Sequence, residues 1–352
     1  MENNGRKKIL VAPLNWGLGH ATRCIPIIKA LLDYNFEPII ASDGDALELL
    51  KKEFPELNAI ELPSYNITYP KKGKGLRKKL LSDSPRFMKT IKKERRLIKL
   101  LAETEGLSGI ISDNRFGVRA KDIPTIFITH QLKVLSGSTT WLSTKLHQNI
   151  ISKFDECWVP DHKGANNLSG DLGHGTFDKI QLKYIGPLSR FQKQKTNKIY
   201  DLIVLLSGPE PQRTILEQKL LNELEHFNGN VRFVRGLIKN SQTKQTQNNL
   251  TVYNYMTTQE LEKSINESAL VLSRSGYTTI MDLAKLEKKA FFIPTPGQFE
   301  QEYLARRLKD DKIIPSCNQD DFKIEMLNSI EDYSGFKSSP FQTDYENLFS
   351  LF

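Results

Sequence analysis

Short, unbroken apolar runs alternate along the chain with longer stretches whose apolar residues recur at helical spacing. In the first half, the runs at residues 9–13, 38–41, 109–112, 125–129 and 156–159 read as strands, with helices over about 21–33 and from about 46 onward. Strands that are apolar throughout, rather than at alternate positions, belong to a parallel sheet covered on both faces. After a further strand at 184–187 comes RFQKQKTNK (190–198), nearly free of apolar residues, which reads as an interdomain linker. A second series follows, with strands at 201–206, 231–234, 250–253, 269–273 and 290–294 and a helix near 212–225. Within it the polar run SQTKQTQNN (241–249) reads as a disordered loop. The pattern predicts an α/β chain of two doubly wound, Rossmann-like domains facing across a cleft. Their expected bounds are 1–189 and 200–335, with a linker at 190–199. Residues 336–352, with Tyr345, Leu348, Phe349 and Phe352, are expected to form a final amphipathic helix that packs back on the first domain.

Length agrees with two cores, since 352 residues exceed one compact core of usual size. No run approaches the roughly 18 consecutive apolar residues of a membrane span. The apolar run after Arg6, Lys7 and Lys8 stops at Pro13, Asn15 and Gly17, too short for a signal peptide. Cys24, Cys157 and Cys317, odd in number and far apart, argue for a reducing, cytoplasmic setting and against a disulfide framework or zinc cluster.

Charge changes the picture in one place. The net +9 arises from residues 71–99, which hold 13 Lys and Arg against only Asp83 and Glu94, while the rest of the chain is close to neutral. Leu80, Leu81, Phe87, Met88, Ile91, Leu97, Ile98 and Leu101 lie among them at roughly helical spacing. Such a helix can lie on an anionic membrane surface, which would place the protein peripherally on the inner face of the membrane. A solvated helix packed on its own domain is the alternative. Nucleic acid is not expected as a partner, because Phe87 is the only aromatic residue interleaved with the charges.

Candidate chemistry sits where strands end. NWGLGHAT (15–22) joins the first strand to the first helix. Gly17 and Gly19 let a ligand approach the backbone, and His20, titrating near neutrality, suits a general base. A tight turn capped by His20 is the alternative; as a dinucleotide fingerprint the motif lacks its third glycine, with Thr22 in that place. Asp113 and Asn114 in SDNRFG, and His130 and Gln131 in THQ, end two further strands and are acceptor-side candidates, with His130 a reserve base. DGD at 43–45 reads as a helix cap rather than a metal site, and no metal is called for. In the second half, Ser207 and Gly208 end a strand where backbone N–H groups could cradle phosphate, and Arg274 could pair with it beside the helix start at Ser275 and Gly276. Asp282, two turns into that helix, could accept ribose hydroxyls, while Glu300 and Gln301 could read a sugar.

The stretch SRSGYTTIMDLAKLEKKAFFIPTPGQFEQEYLA (273–305) resembles the carboxyl-terminal donor domain of family 28 glycosyltransferases, the MurG-type and galactolipid-synthase-like enzymes of GT-B fold. GLGH (17–20) is similar to that family's glycine-rich loop ending in His. The resemblance implies a donor-binding second domain and an acceptor-binding first domain. It places Ser275 and Gly276 by the diphosphate, Asp282 as the ribose-binding acid, Gln301 at the sugar, and Gly17, Gly19 and His20 on the acceptor side. The chain departs from the family in having the shorter Asp282 where Glu is common, Glu302 in place of a second amide, and SGPEPQR as its diphosphate loop. The expectation is an inverting, metal-independent transfer from a nucleotide diphosphate-sugar, by resemblance a UDP-sugar, to an acceptor hydroxyl, lipid-linked if the basic segment meets a membrane. No cofactor is implied, the nucleotide-sugar being a substrate. A sugar-nucleotide epimerase of the same fold and a non-catalytic nucleotide-sugar-binding protein remain alternatives.

Overall fold

The computed structural model describes residues 5–66, 84–175, 177–238, 241–337 and 342–352. These fall into two compact units, one drawn from 5–66, 84–188 and 342–352 and the other from 189–337. Residues 71–83 of the basic segment, with Leu80 and Leu81, lie outside the described residues.

In the first unit seven strands form one sheet: β1 (Lys8–Pro13), β2 (Glu37–Ser42), β3 (Ala59–Glu61), β4 (Leu107–Asp113), β5 (Thr125–Ile128), β6 (Glu156–Val159) and β7 (Gln181–Tyr184). Their order is β3-β2-β1-β4-β5-β6-β7, and every pairing is parallel. Ile9, Leu10, Val11 and Ala12 of β1 are wholly buried, as expected of a strand covered on both faces. Among the described residues four helices connect the strands: α1 (Gly19–Asp33), α2 (Gly44–Glu53), α3 (Ser84–Glu105) and α4 (Thr140–Ile151). Strand order reverses beside β1, so the carboxyl ends of β1 and β4, with Pro13 opposite Asp113, border the crevice where doubly wound sheets bind ligands.

The second unit repeats the plan with β8 (Tyr200–Leu205), β9 (Val231–Val234), β10 (Lys244–Gln247), β11 (Leu250–Tyr253), β12 (Ser268–Ser273) and β13 (Lys289–Phe292), in the order β10-β11-β9-β8-β12-β13. Its helices are α5 (Gln212–Leu224), α6 (Thr258–Asn266), α7 (Tyr277–Lys285) and α8 (Phe299–Asp310). Here the order reverses between β8 and β12, which brings Ser207, Gly208 and Ser273–Gly276 to the corresponding edge. Leu202, Val204, Leu220, Phe233, Leu272 and Phe291 lie in the core beneath.

Two sequence expectations are corrected. The run 241–249 is not a disordered loop: Lys244–Gln247 pair antiparallel with β11 through a tight turn in which Asn248 takes φ 52°. All four β10 residues are exposed, so a strand solvated on both faces carries no apolar signature. Nor is 190–199 a free linker. Phe191 is buried, the Gln192 amide donates to Glu262 at 2.7 Å, and the Gln194 amide donates to Asn266 at 3.0 Å, strapping the segment along α6 within the second unit. Its polar residues serve as hydrogen-bond partners rather than as solvated spacer.

The last helix, α9 (Tyr345–Phe349), belongs to the first unit. The Phe349 ring meets those of Tyr34 and Phe36 edge-on, each at 5.7 Å, and that of Trp158 at 6.4 Å. Phe352 lies against Gly109 of β4, where a Cβ would stand 2.2 Å from its ring. Phe349→Ala is expected to destabilise the first unit by about 3–5 kcal/mol. Hydrogen exchange should then show faster opening of β1 and β4 peptides, with β8 and β12 protected as in the parent protein.

Candidate active site

The carboxyl end of β4 gathers the first unit's chemistry. Asp113 is fully buried and takes both ion-pairing contacts from Arg23, one turn into α1, through Nε and Nη2. His20 Nδ1 lies 2.8 Å from Asp113 Oδ1, and Arg23 Nη1 lies 3.0 Å from His130 Nδ1. Arg23 Nη2 also comes within 2.9 Å of His20 Nδ1. Because guanidinium can only donate and the carboxylate can only accept, one tautomer satisfies the group: Nδ1–H of His20 donates to Asp113, while Nε and Nη2 of Arg23 are taken by Asp113. Nε2 of His20 is thereby left with its lone pair, on a side chain 16% exposed. Burial pushes the His20 pKa below the usual imidazole value, with Arg23 acting the same way against the opposing pull of Asp113. Burial would raise the Asp113 pKa, but Arg23 and His20 overcome it and hold the carboxyl well below the usual carboxylate range.

Two residues along, Arg115 organises a second buried group. Its Nε donates to Glu94 Oε1 at 2.8 Å, Nη1 to Asp43 Oδ1 at 2.7 Å, and Nη2 to the Pro63 carbonyl at 2.7 Å. Glu94 also accepts from the Tyr65 hydroxyl at 2.6 Å and the Gly117 amide at 3.0 Å. Asp43, expected to cap α2, does sit at its N-cap, but its carboxylate is drawn to Arg115 and Asn15 instead of the helix amides. Asn114 stands between the two networks with φ 58°, a left-handed conformation that Asn tolerates, which lets Asp113 and Arg115 serve different partners. Gly17 adopts φ 79° with no atom within 4 Å of its Cβ position, so the loop above α1 is open on that side. His130 is only 4% exposed with Nδ1 turned to Arg23, leaving His20 the better placed imidazole of the two.

In the second unit, Gly208 takes φ 102°, and a Cβ there would lie 3.7 Å from Thr295 Oγ1, so the loops after β8 and β13 meet. Gly276 caps α7 with extended backbone and no side-chain hydrogen bond, so the amino end of α7 stands at this edge. Arg274 departs from expectation. It is wholly buried and donates to the carbonyls of Ile293, Pro294 and Gln212 and to Gln319 Oε1, between 2.6 and 3.2 Å, bracing three loops rather than reaching outward. Burial without a carboxylate brings its pKa down to about 9. Ser275 likewise turns inward, donating to the Gln301 carbonyl at 2.8 Å, and Gln301 Oε1 accepts from the Thr295 amide at 2.8 Å. The expected pairing of the Arg274 guanidinium with phosphate is thus replaced by loop bracing, because Arg274 is more fully desolvated than its loop position implied. Ser207, Gly208, Gly276 and Glu300 remain half-buried at the edge. Asp282 is 8% exposed and accepts from Ser189 at 2.6 Å; burial raises its pKa to about 6 despite Arg190 and that hydrogen bond.

Residues 209–344 match the model of the glycosyltransferase family 28 C-terminal domain. The second unit carries this family 28 domain. A UDP-N-acetylglucosamine–N-acetylmuramyl-(pentapeptide) pyrophosphoryl-undecaprenol N-acetylglucosamine transferase of Haemophilus ducreyi is 23% identical over 64% of this chain. The chain spans 62% of that relative's length. Among solved structures, the kitacinnamycin glycotransferase superposes with a TM-score of 0.60 at 10% identity over 93% of this chain and 89% of its own. MurG of Acinetobacter baumannii does so at 0.51 and 15% over 92% and 89%. These likenesses run through both units and give the chain the GT-B fold, two Rossmann-like sheets of which the family 28 domain supplies the second.

Sequence reasoning missed Arg23, Arg115 and Glu94. Arg23 follows His20 by one helical turn, a spacing that puts both on one face of α1, and this was the one local signal. Its carboxylate partner is 90 residues away.

Within the family 28 domain, the raised pKa of Asp282 has a signed consequence. Between about pH 4 and pH 6 the folded state keeps a proton that the unfolded chain has released, so ionising Asp282 lowers stability as pH rises through that window. Asp282→Asn is expected to stabilise the second unit by about 2–3 kcal/mol at pH 7, with the gain vanishing below about pH 4. Denaturant unfolding at the two pH values, read by hydrogen exchange in α7, checks both parts.

Proposed function

We propose that this protein is a glycosyltransferase that moves a sugar from a nucleotide diphosphate-sugar, a UDP-sugar, to an acceptor hydroxyl with inversion and without a metal ion. The observation that carries the reading is the His20 imidazole, set in its base-competent tautomer by a buried carboxylate, in a chain whose second unit is a family 28 domain. His20 Nε2 removes the acceptor proton as the hydroxyl oxygen forms its bond to the anomeric carbon, and the bond from that carbon to the diphosphate breaks. Asp113, held ionised by Arg23, steadies the imidazolium that results. The departing nucleoside diphosphate carries the bonding pair, and its charge meets the amides of the Ser207–Gly208 turn and the α7 amino end. Asp282 serves the ribose and Glu300 the sugar, while Arg274, Ser275 and Gln301 keep those loops in place. Gly17, Gly19, Asn114 and His130 shape the acceptor side.

The donor class is supported by the Haemophilus ducreyi relative, named for a UDP-N-acetylglucosamine substrate, and by VinC, a glycosyltransferase solved with dTDP that superposes at a TM-score of 0.54. The same relative is named for a pyrophosphoryl-undecaprenol acceptor, and α3 offers a surface suited to a lipid-linked one. It buries Thr90, Glu94 and Ile98 while Arg86, Lys89, Lys92, Lys93, Arg95, Arg96 and Lys99 are exposed alongside Met88 and Leu100. A cationic face with apolar residues among the charges fits the cytoplasmic surface of an anionic membrane, with the protein peripheral there. No helix among the described residues is long and apolar enough to cross a membrane.

His20→Ala is expected to lower kcat by about 10²–10⁴-fold while UDP affinity, measured by calorimetry, stays unchanged. In the parent enzyme the acid limb of the rate profile should fall below the usual imidazole value of about 6.5, because burial favours the neutral ring. Unchanged turnover in His20→Ala would remove His20 as the base, and UDP binding with no turnover in the parent would instead support a binding protein. Charge reversal at Lys92, Lys93 and Arg96 should reduce sedimentation with anionic liposomes and leave binding to neutral ones as it was; equal sedimentation on anionic vesicles would remove the membrane reading.

A further inference from the structure

A group of lysines at the opposite edge of the second sheet has no part in this reaction. A cavity of about 160 Å³ lies at the amino ends of β8, β12 and β13, lined by Lys193, Lys198, Lys288, Lys289, Asn266 and Glu287 among others. Two of the four lysines are neutralised locally, Lys193 by Glu287 and Lys289 by Glu331 at 2.6 Å. The other two are not. Lys198 Nζ donates to the Asn266 carbonyl at 2.6 Å, and Lys288 Nζ donates to that same oxygen at 3.1 Å and to the Ser268 carbonyl at 2.8 Å. Among the described residues neither has a carboxylate partner, and Lys288 is only 5% exposed.

Two ammonium groups converging on one carbonyl oxygen repel each other, and a carbonyl dipole alone does not offset the charge that Lys288 takes up beside Lys198. Burial draws the Lys288 pKa down to about 7, and Lys198 and Lys193 act in the same direction. Each ammonium has three N–H donors, so one on Lys288 and two on Lys198 remain beyond the carbonyl bonds. A compact acceptor of double negative charge would take these donors and offset the excess charge. We propose that Lys198 and Lys288 form a binding site for a phosphate-type dianion, inorganic phosphate or a phosphomonoester, at the amino edge of the second sheet. This edge is opposite the one that carries Gly208 and Gly276, so the site does not depend on the transferase reading.

Thermal unfolding of the full chain tests it, comparing inorganic phosphate, glycerol 3-phosphate and chloride at equal ionic strength, with UDP present throughout to fill any diphosphate subsite. Phosphate is expected to raise the parent Tm by about 2–5 °C over chloride. Lys198→Gln and Lys288→Met should lose that shift, and Lys288→Met should start from a higher Tm in chloride because it removes a buried, unpaired cation. An equal rise with glycerol 3-phosphate would assign the site to phosphomonoesters, and a rise with phosphate alone would assign it to the free ion. A parent Tm no higher in phosphate than in chloride, or the same rise in Lys198→Gln, overturns the proposal. Should Lys288→Met fail to fold, Lys198→Gln, altered at an exposed side chain, decides alone. Failure of UDP to bind would count against the transferase reading only, since the Lys198 comparison still reports on this site.

Discussion

The paired contact between Arg23 and Asp113 is the constraint on which the first unit's chemistry depends. Both partners are desolvated, so losing either would strand a buried charge at a cost of about 3–5 kcal/mol. That penalty fixes the rotamer of Asp113, and Asp113 in turn fixes which ring nitrogen of His20 carries the proton. An exposed carboxylate beside His20 could orient it only loosely, since water would compete for both. The same strand end supplies Arg115, whose three-way bonding to Glu94, Asp43 and Pro63 ties α3, the α2 start and the loop after β3 to β4. The His20 imidazole therefore rests on a frame that cannot shift without breaking several charge-assisted hydrogen bonds at once.

The second unit solves its positioning problem differently. Arg274 engages carbonyl oxygens and one amide instead of a carboxylate, joining the starts of α5 and of the loop after β13 to its own turn. Because it remains cationic near neutrality beside the amino end of α7, it contributes a positive potential to that edge. Ser275 and Gln301 extend the brace. Ser207, Gly208, Gly276 and Glu300 are left half-buried at that edge, the surface to which the proposed function assigns the diphosphate.

Much of this was legible in the sequence because doubly wound folds write themselves in unbroken apolar strands. The runs at 156–159, 231–234 and 250–253 coincide with β6, β9 and β11, Asp113 ends β4, His20 opens α1, and Gly208 lies in the loop after β8. The reading failed where local pattern and tertiary context part. β10 has no apolar face to announce it. The 190–199 segment looks like spacer because its polar groups are satisfied by α6, some 70 residues on. Arg274 beside a glycine turn reads as a phosphate ligand, yet a guanidinium fits a cradle of carbonyls equally well, and only burial distinguishes the two. Arg23 and Arg115 are surface-like residues in sequence whose partners arrive only with the fold.

The polar hairpin at the margin of the second sheet has a colloidal consequence. Its outermost strand presents Lys244, Gln245, Thr246 and Gln247, each exposed, where an open row of backbone amides and carbonyls would otherwise invite another chain to add on. Docking there would strip water from both faces of β10 and gain no apolar contact in return. The wetted polar edge thereby keeps the sheet from becoming a template for fibrous growth.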